Sequence, residues 1–322
     1  MSGITGLHHV TAIAGDAQEN LDFYVGVLGM RLVKRSVNQD VPGTYHLFYA
    51  DAEGRPGTDL TFFPWPDLPP GRHGVGLTVE VALAVPVGAL AYWAERLARS
   101  GAVVGEPTLR FGESVLPMTD PHGLPLALVE TAERPGFAPW PESPVLPAHQ
   151  IRGLHAVRLW ERDWSSTAKF LTETLGFAQQ GDEDGWRRFV IGTGGSGRIV
   201  DIQELPAQPH GTWGVGSVHH VAWRVPDDAT ELEVRDGLAA ARRHPTEVID
   251  RFWFKSVYFK EPGGALFEVA TDGPGFAVDE SIETLGERLV LPPWLEAQRS
   301  SIEAGLPPLR PPDLETTWQS IK

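Results

Sequence analysis

The sequence predicts an α+β protein built from four βαβββ modules that form two open barrels. The chain divides into four weakly similar segments. Each segment opens with an apolar or alternating strand, continues into an amphipathic helix, and closes with strands joined by Gly-rich turns. A βαβββ unit places its strands in one sheet, and two such sheets can curve into an open barrel.

The first module supplies the clearest signals. Its opening strand covers residues 6–13, and its helix is predicted from about Ala17 to Leu28. Asp16 provides an N-cap, and Gly29 provides a stop signal.

The third module repeats the first in register. It opens at Gly153, and its helix is predicted near residues 164–175. The 20 positions from His9 to Gly29 equal the 20 positions from Ala156 to Gly176. Ala156 therefore occupies the position that His9 occupies in the first module.

The second and fourth modules end in matching hairpins. They start near His73 and Val218, with helices predicted near residues 87–100 and 229–243. Six positions beyond Pro121 lies Ala127, and six beyond Pro262 lies Glu268, so these two residues correspond. The corresponding residue of the first module falls near Phe62, and a glycine falls in the second module at the position of His220.

The module boundaries predict two domains, residues 1–147 and 148–322. A Pro-rich stretch around residues 135–147 separates the halves, and a Pro-rich tail follows Leu291.

Composition narrows the function. The net charge of −15 and the lack of basic clusters argue against nucleic acid or an anionic membrane as the main partner, and favour a small molecule. The chain has no cysteine, so any transition metal must use His, Asp or Glu. Neither a signal peptide nor a membrane span is recognisable, so a cytoplasmic location is expected. Assembly into a homo-oligomer stays open.

Two doubled histidines suggest a metal site. His8-His9 and His219-His220 lie on the opening strands of the first and fourth modules. A lone histidine on a strand is most often structural, but two such strands and a carboxylate at a position where a repeat has alanine favour a site. Taking the second histidine of each pair gives His9, His220 and Glu268, the facial triad that leaves open positions for catalysis.

Strand alternation also sorts the neighbours of these residues. Residues two apart share a face, so Thr11 lies with His9, while His8 and His219 point away from the ligand face unless a β-bulge re-aims them. His46 lies in an apolar strand, where a structural hydrogen bond is the expected role.

The modules and the triad resemble the glyoxalase and extradiol dioxygenase (vicinal oxygen chelate) superfamily, and within it the hydroquinone ring-cleaving dioxygenases. The resemblance also includes residues 32–38, 45–51, 56–58 and 62–64. It implies a dioxygenase of aromatic catabolism that uses Fe(II), or else Mn, Ni or Zn, with a small aromatic substrate and dioxygen. It assigns the ligand role to His9, His220 and Glu268.

The resemblance further implies that five surrounding residues take part in catalysis: His8, Thr11, His219, Arg251 and Tyr258. Tyr258 could hydrogen-bond or deprotonate a substrate hydroxyl, and Arg251 could stabilise its anion.

Further expectations stay open at this point. Trp213 and Trp253 flank the metal motifs and are predicted to form an aromatic substrate wall. Competing activities are a catechol extradiol dioxygenase and a glyoxalase-type isomerase or lyase. The glyoxalase type usually keeps a fourth ligand and a glutamate base, whereas the corresponding positions are read here as Phe62, Ala127 or Ala156. A non-catalytic binding module ranks last.

Overall fold

The computed structural model of the chain describes residues 3–133 and 136–312 and has the predicted α+β architecture. The first module contains β1 (Gly6–Ala14), α1 (Ala17–Leu21, continued by a π-helical segment Asp22–Val27), β2 (Arg31–Val37), β3 (Tyr45–Ala50) and β4 (Asp59–Pro64). The second contains β5 (Leu77–Pro86), α2 (Leu90–Arg99), β6 (Val103–Val104), β7 (Thr108–Arg110), β8 (Glu113–Thr119) and β9 (Pro125–Thr131).

The second half repeats this order. The third module contains β10 (Gly153–Glu161), α3 (Trp164–Glu173), β11 (Phe177–Glu183), β12 (Trp186–Ile191) and β13 (Ile199–Glu204). The fourth contains β14 (Val218–Val225), α4 (Asp228–Ala240), β15 (Ile249–Asp250), β16 (Lys255–Lys260) and β17 (Leu266–Thr271). Three 3₁₀ turns and α5 follow: Phe276–Val278, Ile282–Thr284, Pro293–Gln298 and Arg299–Gly305.

The strands form two curled sheets, each of which combines modules from opposite halves of the chain. One has the order β15-β16-β17-β14-β1-β4-β3-β2 and unites the fourth and first modules. The other has the order β11-β12-β13-β10-β5-β9-β8-β6, with β7 paired to β8, and unites the third and second. The first and fourth modules therefore meet, as the positions of the doubled histidines predicted.

The first helix begins and ends where the sequence predicts. The Asp16 carboxylate accepts a hydrogen bond from the backbone N–H of Glu19 at 2.9 Å, which satisfies a donor that has no partner within the helix. Gly29 has φ of 70°, a conformation that favours glycine and stops the helical segment.

The segment after β17 packs back onto the first module through a buried lysine. Lys34 of β2 is fully buried, and its ammonium contacts the Asp279 carboxylate at 2.7 Å and the Glu280 carboxylate at 2.5 Å. Asp279 also accepts a hydrogen bond from the Trp253 indole at 3.1 Å. These contacts fix one wall of the barrel that the first and fourth modules share.

No helix within residues 3–133 and 136–312 combines the length and the apolar character that a membrane crossing needs.

Candidate metal centre

Two β-bulges set the geometry of the doubled histidines. On β1, Leu7 pairs with Trp223 and His9 with Ala222, which leaves His8 as the extra residue. On β14 the pairing with β1 skips His219 in the same way. A bulge interrupts the alternation of side chains, so each first histidine lies beside the second instead of pointing away.

The structure brings His9, His220 and Glu268 together on the inner face of the shared sheet. Glu268 Oε2 lies 3.0 Å from His220 Nε2 and 3.4 Å from His9 Nε2, and the two Nε2 atoms are 3.2 Å apart. All three side chains are buried. No other group of three or more potential ligands was found among residues 3–133 and 136–312.

The imidazole of His8 determines the tautomer of His9. His8 Nε2 lies 3.1 Å from the carbonyl oxygen of Thr271, so it must donate a proton there. Burial, followed by the field of His9, lowers the pKa of His8 to about 3, so this ring is neutral and its Nδ1 can only accept. His9 Nδ1, at 2.9 Å, donates to it, and His9 Nε2 keeps its lone pair.

His219 and His220 can form the same hydrogen bond between their Nδ1 atoms. His219 Nδ1 and His220 Nδ1 are 2.8 Å apart, and burial lowers the pKa of both rings, that of His219 to about 3. If His220 donates through Nδ1, its Nε2 also presents a lone pair toward Glu268.

Glu268 is ionised although it is fully buried. Burial alone would raise its pKa, but positive charge beside it, which protonated rings of His9 and His220 or a metal ion would supply, holds the pKa well below its usual value. Ser256 donates a hydrogen bond to Oε1, whereas Oε2 has no hydrogen-bond partner despite the two nearby ring nitrogens. An unpaired buried oxygen of this kind is costly unless a cation meets it.

The three ligand atoms fit one divalent ion. Ligand atoms about 2.1 Å from one ion lie about 3.0 Å apart at right angles and about 3.4 Å apart at tetrahedral angles. The observed separations of 3.0, 3.2 and 3.4 Å span this range. Two neutral imidazoles and one carboxylate are the donor set typical of such a site, with hydrogen bonds that fix each histidine.

A pocket opens above these atoms between the first and fourth modules. The described residues that line it are His9, Asn38, Gln39, Asp40, His46, Phe48, Phe63, His220, Arg251, Trp253, Phe254 and Tyr258. The pocket therefore combines apolar aromatic side chains with polar and charged groups, as sites that bind small organic molecules do.

Arg251 and Tyr258 form the polar part of the wall from the fourth module. The Arg251 guanidinium lies 5.4 Å from the centre of the Tyr258 ring and contacts both oxygens of Asp40, at 3.0 and 3.3 Å. Burial, and next the charge of Glu268, raises the pKa of Tyr258. Burial alone would lower the pKa of Arg251, but Tyr258 and Asp40 hold it above its usual value.

The two predicted tryptophans lie in different places. Trp253 is buried and lines the pocket, which is the position that a role in a substrate wall requires. Trp213 is 43% exposed, is absent from the described lining, and stacks on His219 with ring centres 4.5 Å apart. The structure therefore places Trp213 behind the candidate site, because His219 lies between it and His220.

Thr11 lies on the same face as His9 and is bonded to Thr61 of β4. Their hydroxyl oxygens are 2.7 Å apart. On the neighbouring strand, Thr61 pairs with Thr11, which lies two residues after His9. In the fourth module, Glu268 pairs in the same way with Ala222, which lies two residues after His220. Thr61 therefore corresponds to Glu268 in the first module, so the sequence comparison, which pointed to Phe62, was wrong by one position.

The second sheet lacks this ligand set at the equivalent positions. Ala156 pairs with Ala82 and Arg158 with Glu80, so Glu80 stands where His220 stands in the first sheet. The glycine expected there was therefore wrong, because the second module's opening strand begins later than its sequence suggests. Ala127 pairs with Ala82 and does correspond to Glu268.

Ion pairs fill the second barrel. Arg188 donates to both carboxylate oxygens of Asp201 at 2.8 and 3.0 Å and to Glu113 at 2.6 Å. Arg158 lies beside Asp201 and Glu80 at 3.6 and 3.9 Å. Arg110 also donates to Glu80, so three arginines face three carboxylates and their charges balance, which indicates a structural cluster.

Sequence reasoning did not assign several lining residues to the pocket, among them Phe254 and the polar residues Asn38, Gln39, Asp40 and His46. Gln39 and Asp40 lie in the connection between β2 and β3, whose path no sequence periodicity predicts. His46 carried a usable signal, because it lies two residues before Phe48 on a strand whose alternate side chains face the barrel interior.

Comparison with known proteins agrees with this geometry. The sequence profile of the glyoxalase/bleomycin resistance protein/dioxygenase superfamily matches residues 6–128 and 153–269. MhqO of Bacillus subtilis (strain 168), named as a proposed ring-cleaving dioxygenase, is 42% identical over 310 residues, which cover 96% of this chain and 98% of MhqO.

Two further relatives extend the comparison. Chlorohydroquinone/hydroquinone 1,2-dioxygenase of Sphingobium indicum is 32% identical over 319 residues, covering 93% of this chain and 95% of that protein. The crystal structure of a proposed dioxygenase from Bacillus subtilis superimposes with a TM-score of 0.89 at 41% identity, covering 96% of this chain and 98% of that one.

Proposed function

This chain belongs to the glyoxalase/bleomycin resistance protein/dioxygenase superfamily, and from that premise we propose that it is an Fe(II)-dependent ring-cleaving dioxygenase. Its substrates would be hydroquinone-type aromatic diols and dioxygen, and its place of action the cytoplasm. The ring would open between a hydroxyl-bearing carbon and its neighbour, with both oxygen atoms entering the product. The observation that carries the proposal is the buried His9, His220 and Glu268 cluster at the bottom of an aromatic pocket.

His9, His220 and Glu268 would hold the metal. The lone pair of His9 Nε2 and the unpartnered Glu268 Oε2 support this role, because both are buried and neither meets a proton donor when His220 carries its proton on Nδ1. When bound, a ferrous ion would supply the redox chemistry that lets the aromatic diol react with dioxygen, and a facial triad of this composition is typical of such iron sites.

The chain's own residues would bind and orient the diol. Phe48, Phe63 and Trp253 supply apolar faces for an aromatic ring and exclude water. The Tyr258 hydroxyl would hydrogen-bond a ring oxygen, and the Arg251 cation would favour the ionised form of that oxygen. His8 and His219 would hold the two ligand imidazoles in the tautomer that binds metal.

A glyoxalase-type isomerase or lyase is the main alternative, and the register of the sheet argues against it. Enzymes of that type usually use a fourth protein ligand and a glutamate base. The position related to Glu268 in the first module is Thr61, whose hydroxyl contacts Thr11 at 2.7 Å and His46 at 3.0 Å. A threonine engaged in this way is a poor substitute for a carboxylate.

Oxygen uptake tests the proposal. The purified protein would be loaded anaerobically with Fe(II), Mn(II), Ni(II) or Zn(II), freed of excess metal, and mixed with a panel of hydroquinones and catechols. We expect uptake of one dioxygen per diol with Fe(II) and hydroquinones, and no uptake by Glu268→Ala protein treated identically. Failure of every metal form to consume oxygen with any hydroquinone would contradict the proposal. Preference for catechols would establish the catechol alternative instead.

A further inference from the structure

His46 lies on the wall of the pocket that the first module contributes. Its ring centre is 3.8 Å from that of Phe48 and 4.4 Å from that of Phe63, so the imidazole is held between two apolar rings. It lines the pocket together with His9 and His220. A polar side chain in an otherwise aromatic stretch of wall needs a reason.

One nitrogen of His46 is occupied by the protein. Its Nε2 lies 3.0 Å from the hydroxyl of Thr61, which lies 2.7 Å from the hydroxyl of Thr11. Both threonines are fully buried, so this chain of contacts fixes the orientation of the imidazole.

The other nitrogen remains available to a ligand. Within residues 3–133 and 136–312, Nδ1 has no hydrogen-bond partner, and it is not among the side-chain atoms sealed from solvent without one. Burial, followed by His9 and His220, lowers the pKa of His46 well below its usual value, which favours the neutral ring. A neutral imidazole either donates or accepts at Nδ1, and a phenolic hydroxyl can satisfy both.

The polar groups on the opposite wall of the pocket do not remove the need for a partner such as Nδ1 of His46. Tyr258 and Arg251 lie on the fourth module, and Arg251 already has both oxygens of Asp40 as partners. A para-diol that enters with one hydroxyl at the triad carries its second hydroxyl at the far end of the ring. Leaving that hydroxyl unpaired in an aromatic pocket would be costly.

We infer that His46 is a substrate-binding residue whose Nδ1 hydrogen-bonds the ring hydroxyl remote from His9, His220 and Glu268, and that it thereby selects para-diols over monohydric phenols. This inference rests on the proposed function, because it names the group that recognises the second hydroxyl of the substrate class.

A pair of variants isolates Nδ1. In His46→Asn the side-chain amide can place a polar atom near the position of Nδ1, whereas in His46→Gln the amide reaches toward Thr61 and leaves the position of Nδ1 empty. Binding of hydroquinone and of phenol to Fe(II)-loaded protein would be measured without oxygen by quenching of tryptophan fluorescence, since Trp253 lines the pocket. Metal content and the thermal unfolding midpoint of both variants serve as controls for folding.

We expect the parent to bind hydroquinone more tightly than phenol, and His46→Gln to lower this ratio about 5-fold to 10-fold, the factor that one hydrogen bond typically provides. Phenol binding should change less than 2-fold, and His46→Asn should retain most of the ratio. An unchanged ratio in His46→Gln, or equal weakening of both ligands, would overturn the inference.

Failure of the inference about His46 can be distinguished from failure of the proposed function. If the parent consumes oxygen with hydroquinones but His46→Gln keeps the parent's ratio, only the role of His46 fails. If the parent neither binds nor oxidises any hydroquinone, the proposed function fails and the inference with it.

Discussion

His9 and His220 depend on the imidazoles beside them for the form in which they can bind a metal. A carboxylate or backbone carbonyl commonly accepts the second ring proton of a metal-binding histidine. Here the acceptor for His9 is His8, which is itself fixed by the carbonyl of Thr271. A neutral acceptor adds no charge to the site, so Glu268 supplies the only formal negative charge among these residues.

The three proposed ligands should be needed individually. The parent should bind about one Fe(II) per chain, and His9→Ala, His220→Ala or Glu268→Ala should each remove most of it, because Thr61 and Ala222 offer no substitute. Metal content after gel filtration, measured by inductively coupled plasma spectrometry, checks this. His210→Ala, at an exposed position, is the matched control. Full stoichiometry in any of the three variants would disprove that assignment.

Tyr258 should matter for turnover and not for metal binding. Its ring packs against His220 with centres 5.6 Å apart, and the residue lines the pocket. Tyr258→Phe should keep the iron content and lower hydroquinone turnover by about 10²-fold, the loss typical of a missing catalytic hydrogen-bonding group. Arg251→Ala should act similarly, with a larger effect on KM if it mainly positions the anion.

Tyr45→Phe provides the comparison, since the Tyr45 hydroxyl bonds the carbonyl of Pro307 outside the pocket. Oxygen-dependent turnover of iron-replete proteins is the measurement. Equal turnover of Tyr258→Phe and the parent would remove Tyr258 from the mechanism.

At the scale of elements, the bulges on the central strands are a feature of both sheets, and in the first sheet histidines occupy them. The second sheet has extra residues at the same places, His155 on β10 and Val79 on β5. Only the first sheet has a histidine at both bulges of its central strand pair. The same backbone irregularity therefore serves a candidate metal site in one barrel and an ion-pair cluster in the other.

The end of β10 meets the turn between β16 and β17 through two buried carboxyl groups. Glu261 accepts hydrogen bonds from the N–H groups of Gly263 and Ala265 and from the hydroxyl of Thr167. Glu161 has no hydrogen-bond partner for either oxygen, and it fills the space where a side chain at position 263 would lie. Glu261 is thus better able to carry the negative charge, and Glu161 the proton.

Glu161 should make the protein less stable at alkaline pH. Burial, and next the charge of Glu261, raises its pKa to about 9 from an ordinary 4.5. The folded chain then retains a proton that the unfolded chain loses, so stability falls as pH rises from about 4.5 to about 9, by up to about 1.4 kcal/mol per pH unit. Glu161→Gln should flatten this dependence.

Urea unfolding at pH 5, 6, 7 and 8 measures the effect. Glu173→Gln, on the exposed side of α3, is the control, and its slope with pH should match that of the parent. A Glu161→Gln slope equal to that of the parent would mean that Glu161 is ionised in the folded protein.

At the scale of the whole molecule, the sequence predicted what periodicity and residue type determine. The repeated strand-helix-strand pattern predicted the α+β class and the helix limits around Asp16 and Gly29, and these are confirmed. Residue type predicted the His9, His220 and Glu268 cluster, and the structure brings these residues together.

Other features depend on the exact register of strands and the paths of loops. The sequence comparison pointed to Phe62 instead of Thr61, and it placed a glycine where the structure has Glu80. A bulge or a later strand start changes the number of residues between equivalent positions without changing the hydrophobic pattern. The proximity of Asp40 to Arg251 requires a loop to approach a strand end over 200 residues away along the chain.

The division into residues 1–147 and 148–322 can be tested through the sheets. Each sheet takes strands from both halves, and the central pairs β1–β14 and β5–β10 join one half to the other. A separate half would leave these strand edges and its side of both barrels exposed to water. His9 would lie on one fragment, and His220 and Glu268 on the other.

Neither fragment alone should therefore hold Fe(II) tightly, whereas the two expressed together should form a complex with about one ion. Gel filtration followed by metal analysis of each fragment and of the mixture measures this, with the intact chain as the reference. Glu268→Ala in the second fragment should abolish binding by the mixture, which separates specific reassembly from adventitious uptake. Tight binding by either fragment alone would show that the metal site is built within one half of the chain, and the assignment of ligands to the first and fourth modules would be wrong.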